Sequence, residues 1–363
     1  MNPAGGGWRG SEVGGQQILL PVPRAVSDEL AATAAAGVLR ADEANRREAN
    51  RREAMRAMTR TADFTREIRD RLHRGLGVVV LDGFPVDALD TDALLGAYWL
   101  LGLFLGRPVS QSRKGDMIGR VRNRGSDISD PHQRGYESSA ALPFHVDRTD
   151  VVGLLCVRPA AEGGLSRLVS ARAVHDILLG EDPALAAELY RPLPHDRRGE
   201  QAAGQSPWSQ IPVFSQVCGS FAARYVRRFI EGSQRHEQAP RLTASQRAAL
   251  DAVDEILDSP GMSLDMNLRP GQVQLINNFT TLHARTAFTD SAAAPRLLLR
   301  LWLAAAGSPE LPPQYLELYG AIRSGTYRGG VWPSGRMGRF AGIPVDQVPT
   351  SALGLPAPDG ELA

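Results

Sequence analysis

Three side chains able to bind a metal stand out in the sequence. The segment LPFHVD places His145 and Asp147 two residues apart. On a β-strand such residues point to the same face, so both side chains can reach one ion. His283 follows in NNFTTLHAR, which the sequence places between two strand-like runs. Two histidines and one carboxylate form the facial triad that suits Fe(II) and leaves positions open for other ligands.

A second candidate lies just beyond His283, in the run PRLLLRLWLA. Its strict alternation predicts a strand with Arg296, Leu298, Arg300 and Trp302 on one face and leucines on the other. In the simplest interpretation the arginines face water. If helices cover the leucine face, the arginines point inward instead, and an inward Arg needs an anionic partner.

The other histidines are interpreted as structural or surface residues. His195 lies in PLPHDRRGE, which we predict to be a charged loop, and His132 follows a proline in a polar loop. The remaining three, His73, His175 and His236, fall in predicted helices with ordinary neighbours.

The strands and helices expected around these residues indicate a mainly β fold with helical insertions. Short apolar runs indicate strands, and helices are predicted over 171–190, 224–235 and 243–258. Strands and helices do not alternate regularly, which argues against a doubly wound sheet. The pattern favours an antiparallel, cupin-like jelly roll, that is, a double-stranded β-helix.

Composition excludes several classes of protein. The chain has 363 residues, is 43% hydrophobic and carries a formal net charge of +1, which indicates no nucleic-acid groove or membrane surface. With two cysteines, no signal peptide and no apolar run long enough to span a bilayer, it is expected to be cytoplasmic. No signal indicates its oligomeric state.

Three regions are predicted. Residues 1–60 form an N-terminal extension, loose to about residue 20 and then including a polar helix over 41–58. Residues 61–306 form the jelly-roll domain, with a helical insertion at about 171–258. Residues 307–363 form a tail rich in Pro and Gly that packs on this domain.

Four sequence elements together resemble the taurine dioxygenase/TfdA-like oxygenases, whose cousins are the clavaminate-synthase-like enzymes. They are FHVD, the GG-x-S step at 163–166, the NN-x-x-x-LH-x-R block at 277–285 and the R-x-L-x-R-L-W strand. The resemblance spans roughly residues 75–306. It implies a double-stranded β-helix in which His145, Asp147 and His283 bind Fe(II).

The resemblance also implies roles for other residues. Arg296 would bind the distal carboxylate of 2-oxoglutarate with support from Ser166, and Arg300 would bind an acidic group of the substrate. Because Asp147 is present, halogenation is disfavoured. O₂ and 2-oxoglutarate would be consumed while a small molecule, such as a biosynthetic intermediate, is hydroxylated. Desaturation, cyclisation and epimerisation would use the same residues.

The polar loop before His145 supplies three further candidate substrate contacts, Arg134, Tyr136 and Ser139, which could equally be surface residues. Asn277 and Asn278 are candidates to orient His283, or turn residues. A different class of function also stays open at this point, namely a cupin-like metal-binding protein or a zinc hydrolase. An inward Arg296 would favour the oxygenase.

Overall fold

The computed structural model describes residues 6–36, 53–127, 135–201 and 203–331, with the backbone of 339–340 and 343–344. Within these residues the strands are, in chain order, β1 (Leu19–Pro21), β2 (Val78–Asp82), β3 (Arg107–Pro108), β4 (Ile118–Val121), β5 (Leu142–His145), β6 (Val151–Arg158), β7 (Glu162–Gly163), β8 (Ser166–Ser170), β9 (Leu193–Asp196), β10 (Trp208–Ile211), β11 (Phe214–Val217), β12 (Ser220–Ala223), β13 (Leu264–Met266), β14 (Val273–Asn277), β15 (Thr281–Arg285), β16 (Phe288–Thr289), β17 (Leu297–Ala304), β18 (Arg339–Phe340) and β19 (Ile343–Pro344).

Two sheets form the jelly roll. The larger runs in the order β1-β2-β14-β6-β17-β3, with β4 also paired to β17, and the smaller runs β13-β8-β15-β5. One apolar cluster joins the sheets, because Val152 and Leu298 of the larger sheet and Leu168 of the smaller one belong to it. The predicted mainly β jelly roll with helical insertions is confirmed.

The α-helices surround this core. Within the described residues they span Gly15–Ile18, Arg24–Ala35, Thr59–Arg74, Thr91–Leu105, Ala171–Glu181, Pro183–Glu188, Arg227–Gly232, Ala244–Asp258 and Leu316–Tyr319. Single 3₁₀ turns occur at Gly10–Glu12, Gly135–Glu137, Ser233–Arg235 and Pro313–Tyr315.

The helix Thr91–Leu105 explains how the larger sheet is buried on both faces. Asp90 caps it by accepting a hydrogen bond of 2.9 Å from the Ala93 N–H. The helix packs in one cluster with Leu299, Leu301 and Leu303 of β17. The leucine face of β17 is therefore covered by helices, and its other face looks between the sheets. No helix in the described residues is both long and apolar enough to cross a bilayer.

The prediction that the chain is loose to about residue 20 is wrong for residues 8–20. Trp8 is 3% exposed and donates its indole N–H to the Leu76 carbonyl at 2.9 Å. Val13, Ile18 and Leu20 are also buried, and β1 pairs in parallel with β2. Isolated apolar residues in a Gly-rich segment gave no periodic signal. Of the predicted polar helix over 41–58, residues 41–52 lie outside the described part.

The predicted helical insertion at 171–258 also contains strands. Four short strands, β9 to β12, form two hairpins between its helices. The helix predicted over 171–190 ends at Glu181, and Asp182 caps a second helix by accepting from the Ala184 and Leu185 N–H groups. The helix predicted over 224–235 is shorter, Arg227–Gly232 followed by a 3₁₀ turn. The helix over 243–258 forms nearly as predicted.

The segment that follows β17 packs on the jelly roll as far as residue 331. Arg328 is 2% exposed and donates from Nε to Asp150 Oδ1 at 2.8 Å. Burial of this pair, with Ser308 also donating to the Asp150 carboxylate, ties the segment to the start of β6. The division of the chain at residues 60 and 306 stays a prediction.

Candidate active site

Strand pairing brings the three predicted metal ligands together. His283 lies within β15, directly opposite His145 on β5, which corrects the prediction that it lies between strands. Residues directly opposite each other on antiparallel strands share a face, and the two imidazole centroids are 4.2 Å apart. Asp147 follows β5 by two residues and completes the group.

The ligand atoms of these three side chains all lie within 4.8 Å of one another. His145 Nε2 is 4.0 Å from Asp147 Oδ1, and His283 Nε2 is 3.6 Å from Asp147 Oδ2. One ion with bonds of about 2.1 Å can bridge atoms at such separations. Two imidazoles and one carboxylate therefore fit a divalent metal with open coordination positions.

Hydrogen bonding selects the metal-binding form of His145. Its Nδ1 lies 2.9 Å from the Pro143 carbonyl, which can only accept, so Nδ1 carries the proton and Nε2 keeps its lone pair. Burial and the neighbouring His283 lower the pKa of His145 to about 4, so the ring is neutral at pH 7.

Asp147 is held as a carboxylate from several directions. Burial alone would raise its pKa, but the Arg300 guanidinium and the two histidines hold it well below its usual range. Its Oδ2 accepts a hydrogen bond of 2.8 Å from Trp302 Nε1 and lies 3.6 Å from Arg300 Nη1. No pattern in the sequence indicated this role for Trp302.

The backbone around Asp147 is fixed by two further side chains. Asn278 accepts from the Asp147 N–H at 2.9 Å and donates to its carbonyl at 2.8 Å. Arg224 Nη1 donates to the carbonyls of Val146 and Asp147 at 2.9 and 3.0 Å. Asn278, which was predicted either to orient His283 or to be a turn residue, lies in the turn after β14 and holds Asp147. Asn277, for which the same two alternatives were predicted, is the last residue of β14, and its side chain accepts from the Phe279 N–H.

Two cavities meet at the metal ligands. The inner cavity lies between the sheets and is lined by a polar group that includes Ser166, His283, Arg285, Arg296 and Arg300. The outer cavity opens toward the insertion and is lined on its inner side by His145, Asp147, Arg300 and Trp302. His145, Arg300 and Tyr136 line both cavities.

Arg296 carries an uncompensated charge in the inner cavity. It is 5% exposed, and within the described residues no carboxylate lies within 4.0 Å of its guanidinium. Its Nη1 is buried without a hydrogen-bond partner, and its guanidinium carbon lies 5.0 Å from the Phe288 ring centroid. A buried, unpaired guanidinium is costly, so this geometry fits a site for an anion.

Arg285 is a second inner-cavity cation that the sequence did not assign to a role. Its guanidinium carbon lies 4.7 Å from the centroid of the same Phe288 ring, and its Nε and Nη1 are buried without partners. Its Nη2 donates to the carbonyls of Ser138 and Ala140. Arg285 lies two residues after His283, so both side chains share one strand face. This spacing is the sequence feature that could have predicted Arg285 as a cavity residue.

The fold places some of the remaining predicted residues at the cavities and others away from them. Ser166 lines the inner cavity and donates to Gln274 Oε1 at 2.5 Å. Arg300 donates from Nε to Gln111 at 2.7 Å and stacks 4.5 Å from the Tyr136 ring centroid. Ser139 is not among the described residues that line either cavity. Arg134 and His132 lie outside the described residues.

His195 does not lie in a loop, as the sequence suggested. It belongs to β9, is 2% exposed and lines the outer cavity. The segment PLPHDRRGE is polar in sequence, but His195 pairs with Ser209 in the β9–β10 hairpin and is buried there.

Comparison with known proteins assigns the chain to a family. Residues 55–302 match the taurine catabolism dioxygenase TauD, TfdA family. FR-33289 synthase of Streptomyces rubellomurinus is 31% identical over 248 residues, covering 67% of this chain and 73% of that protein. Uridine-5'-phosphate dioxygenase of Streptomyces sp is 35% identical over 152 residues, covering 40% of this chain and 53% of that protein.

A solved structure shares the fold. It is asparagine oxygenase in complex with Fe(II), 2S,3S-3-hydroxyasparagine and succinate, with a TM-score of 0.60 and 19% identity, covering 79% of this chain and 93% of that one. The fold and the site thus define a non-haem iron oxygenase of the jelly-roll class. The chain belongs to the TauD/TfdA family and is an Fe(II)- and 2-oxoglutarate-dependent oxygenase.

Proposed function

We propose that this oxygenase hydroxylates a small, freely diffusing cytoplasmic molecule that bears an acidic group, with release of succinate and CO₂. The observation that carries the proposal is the arrangement of the inner cavity. Two of the three metal-site residues, His145 and His283, line it with Asp147 beside them, and the unpaired guanidinium of Arg296 belongs to the same cavity.

The metal site would be formed by His145, Asp147 and His283. Bound Fe(II) supplies the activation of O₂ that oxidises a C–H bond. Pro143 fixes the tautomer of His145, and Trp302 holds one oxygen of Asp147, so both ligands are oriented before the metal binds.

The co-substrate would lie in the inner cavity. Arg296 would pair with the distal carboxylate of 2-oxoglutarate, because a guanidinium can donate to it in a bidentate manner. Arg285 lines the same cavity and would donate further hydrogen bonds, and Ser166 would donate one if its hydroxyl turned from Gln274 to the co-substrate. The apolar walls, which include Leu154, Leu268 and Leu298, exclude water around the co-substrate.

The substrate would enter through the outer cavity. We assign Arg300 and Tyr136 as substrate contacts because they line both cavities beside His145. Uridine-5'-phosphate dioxygenase acts, by its name, on a phosphate ester. A phosphate-type group is therefore the acidic group that we propose for this substrate.

Succinate formation from 2-oxoglutarate tests the proposal. The protein is reconstituted anaerobically with Fe(II) and then exposed to O₂ with a panel of phosphate- and phosphonate-bearing metabolites. We expect succinate from the wild type and none above background from His145→Ala, Asp147→Ala or His283→Ala, which should also bind Fe(II) more weakly. Asp176→Ala, an exposed carboxylate paired with Arg172, serves as the control.

Normal turnover in any of the three variants would remove that residue from the metal site. Absence of iron-dependent succinate from the wild type, combined with zinc-dependent hydrolysis of the same metabolites, would replace the proposal with a hydrolase.

A further inference from the structure

The outer cavity has a surplus of positive charge. Its described lining includes seven arginines and three carboxylates, namely Arg148, Arg197, Arg198, Arg224, Arg227, Arg228 and Arg300 against Asp147, Asp196 and Glu200. A concave site lined by one sign of charge concentrates ligands of the opposite sign. Which of these charges are already paired decides where a ligand can bind.

Several arginines are paired with carboxylates outside the cavity lining. Arg197 pairs with Glu317, and Arg227 pairs with Glu231, Asp251 and Asp254. The cavity carboxylates are also engaged. Asp196 pairs with Arg235 and His236, Glu200 pairs with Arg148, and Asp147 belongs to the metal site.

Arg224 differs from these arginines. It is 3% exposed, and no carboxylate among the described residues lies within 4.0 Å of its guanidinium. Its Nη1 donates only to two neutral carbonyls, and its Nε is buried without a hydrogen-bond partner. A buried cation in this state lacks a counter-ion.

Other polar atoms with unused hydrogen-bonding capacity line the same cavity. Ser209 and His195 lie directly opposite each other on β10 and β9, so their side chains share one face. Ser209 Oγ and His195 Nε2 are both buried without partners. Arg148 directly follows Val146 and Asp147, whose carbonyls accept from Arg224. Its Nη2 has no hydrogen-bond partner, although it lies 3.8 Å from the carboxylate of Glu200.

His195 is a neutral acceptor in this group. Its Nδ1 lies 3.0 Å from the Leu193 carbonyl and so carries the proton, which leaves a lone pair on Nε2. Burial, and then the Arg224 guanidinium, lower the pKa of His195 to about 3. The group therefore offers two guanidiniums and a hydroxyl as donors and one nitrogen as acceptor.

We propose that Arg224, Arg148, Ser209 and His195 form the subsite for a tetrahedral phosphate-type dianion of the substrate, a phosphate monoester or a phosphonate. Glu200 already balances the charge of Arg148, but a tetrahedral anion offers enough oxygens to accept from both guanidiniums and from the Ser209 hydroxyl, whereas a carboxylate offers only two. Only the singly protonated form of this anion carries an O–H that could donate to His195 Nε2. This inference rests on the proposed function, because it places the acidic group of the substrate beside Asp147.

Binding of simple anions tests the subsite separately from catalysis. The probes are inorganic phosphate, methyl phosphate, methylphosphonate and acetate, titrated calorimetrically into the Fe(II)- and 2-oxoglutarate-loaded protein without O₂. We expect the three tetrahedral anions to bind and acetate to bind at least 10-fold more weakly. The ratio of methyl phosphate to methylphosphonate affinity identifies which of the two the subsite prefers.

Ser209→Ala and Arg224→Leu should weaken phosphate binding by roughly 10-fold or more, because each removes a hydrogen bond to a charged group. Arg224 also donates to the backbone at Asp147, so a loss of phosphate binding in Arg224→Leu counts only if Fe(II) still binds to that variant. Ser209→Ala does not affect the backbone at Asp147 and therefore tests the subsite alone. Arg172→Leu changes a half-buried arginine of the helix Ala171–Glu181 that does not line the outer cavity, so it is the matched control and should bind phosphate normally.

Equal binding of acetate and phosphate would overturn the inference, as would normal phosphate affinity in Ser209→Ala. Wild-type protein that forms succinate with a substrate but binds none of the tetrahedral anions would also overturn it, while leaving the proposed function intact. Phosphate binding without any succinate formation would support the subsite and count against the proposed function alone.

Discussion

Replacing Arg296 with leucine should separate the binding of 2-oxoglutarate from the stability of the protein. In the wild type this guanidinium is 5% exposed, and one of its nitrogens lacks a hydrogen-bond partner. Because an unpaired buried cation is unfavourable, Arg296→Leu should leave the melting temperature of the ligand-free protein nearly unchanged. The loss should appear only when 2-oxoglutarate is added.

The magnitude follows from the two cations of the inner cavity. Truncating one partner of a buried charge pair costs about 2–5 kcal/mol. Arg285 stacks on the same Phe288 ring and can take part of the anionic charge. We therefore expect the lower half of that range, about 2–3 kcal/mol, or roughly a 30- to 150-fold increase in the KM for 2-oxoglutarate.

Succinate formation measured against 2-oxoglutarate concentration provides the KM, with and without substrate. Arg296→Lys should recover part of the loss, since lysine keeps the charge but lacks the planar pair of donors. Arg158→Leu is the matched control, because Arg158 lies at the neighbouring end of β6 and is exposed. An unchanged KM in Arg296→Leu would refute the reasoning, and a larger effect in Arg300→Leu or Arg285→Leu would transfer the role to that residue.

Three further outcomes follow from buried contacts. Trp8→Ala should lower the free energy of unfolding by about 3–5 kcal/mol in a urea titration, and an unchanged midpoint would mean that residues 8–20 do not stabilise the fold. Trp302→Phe keeps an aromatic side chain but removes the N–H donor to Asp147, so Fe(II) should bind about 10-fold more weakly. Trp208→Phe is the control, and equal Fe(II) affinities in the two variants would exclude a role for Trp302 in orienting Asp147. Burial and then Arg69 lower the pKa of His73 to about 4 from 6.5, so the unfolded chain binds more protons below pH 6.5. His73 should therefore account for about 2 kcal/mol of the stability lost from pH 7 to pH 5, and a His73→Gln variant with the same pH dependence would contradict this.

The sequence by itself predicted the candidate metal ligands and the fold class. The i, i+2 spacing of His145 and Asp147 survives in any extended conformation, because a strand alternates its side chains. The alternation over 296–303 likewise predicted a strand with an arginine face and a leucine face. Such local patterns depend only on the two-residue repeat of a β-strand, so they can be interpreted without knowing which other segments the strand contacts.

Tertiary structure decided which way those faces point and which residues support the ligands. The helix Thr91–Leu105 covers the leucine face of β17, so Arg296 and Arg300 turn into the space between the sheets. The contacts of Trp302 and Asn278 with Asp147 join residues 155 and 131 positions apart in sequence. No local period encodes such contacts.

The same reason explains the errors. Trp8, Ile18 and Leu20 are buried because Trp8 reaches the Leu76 carbonyl and β1 pairs with β2. His195 is buried only because a hairpin pairs it with Ser209. Burial of a polar or Gly-rich segment depends on partners that are distant in the chain, and a single sequence without its folded partners does not specify them.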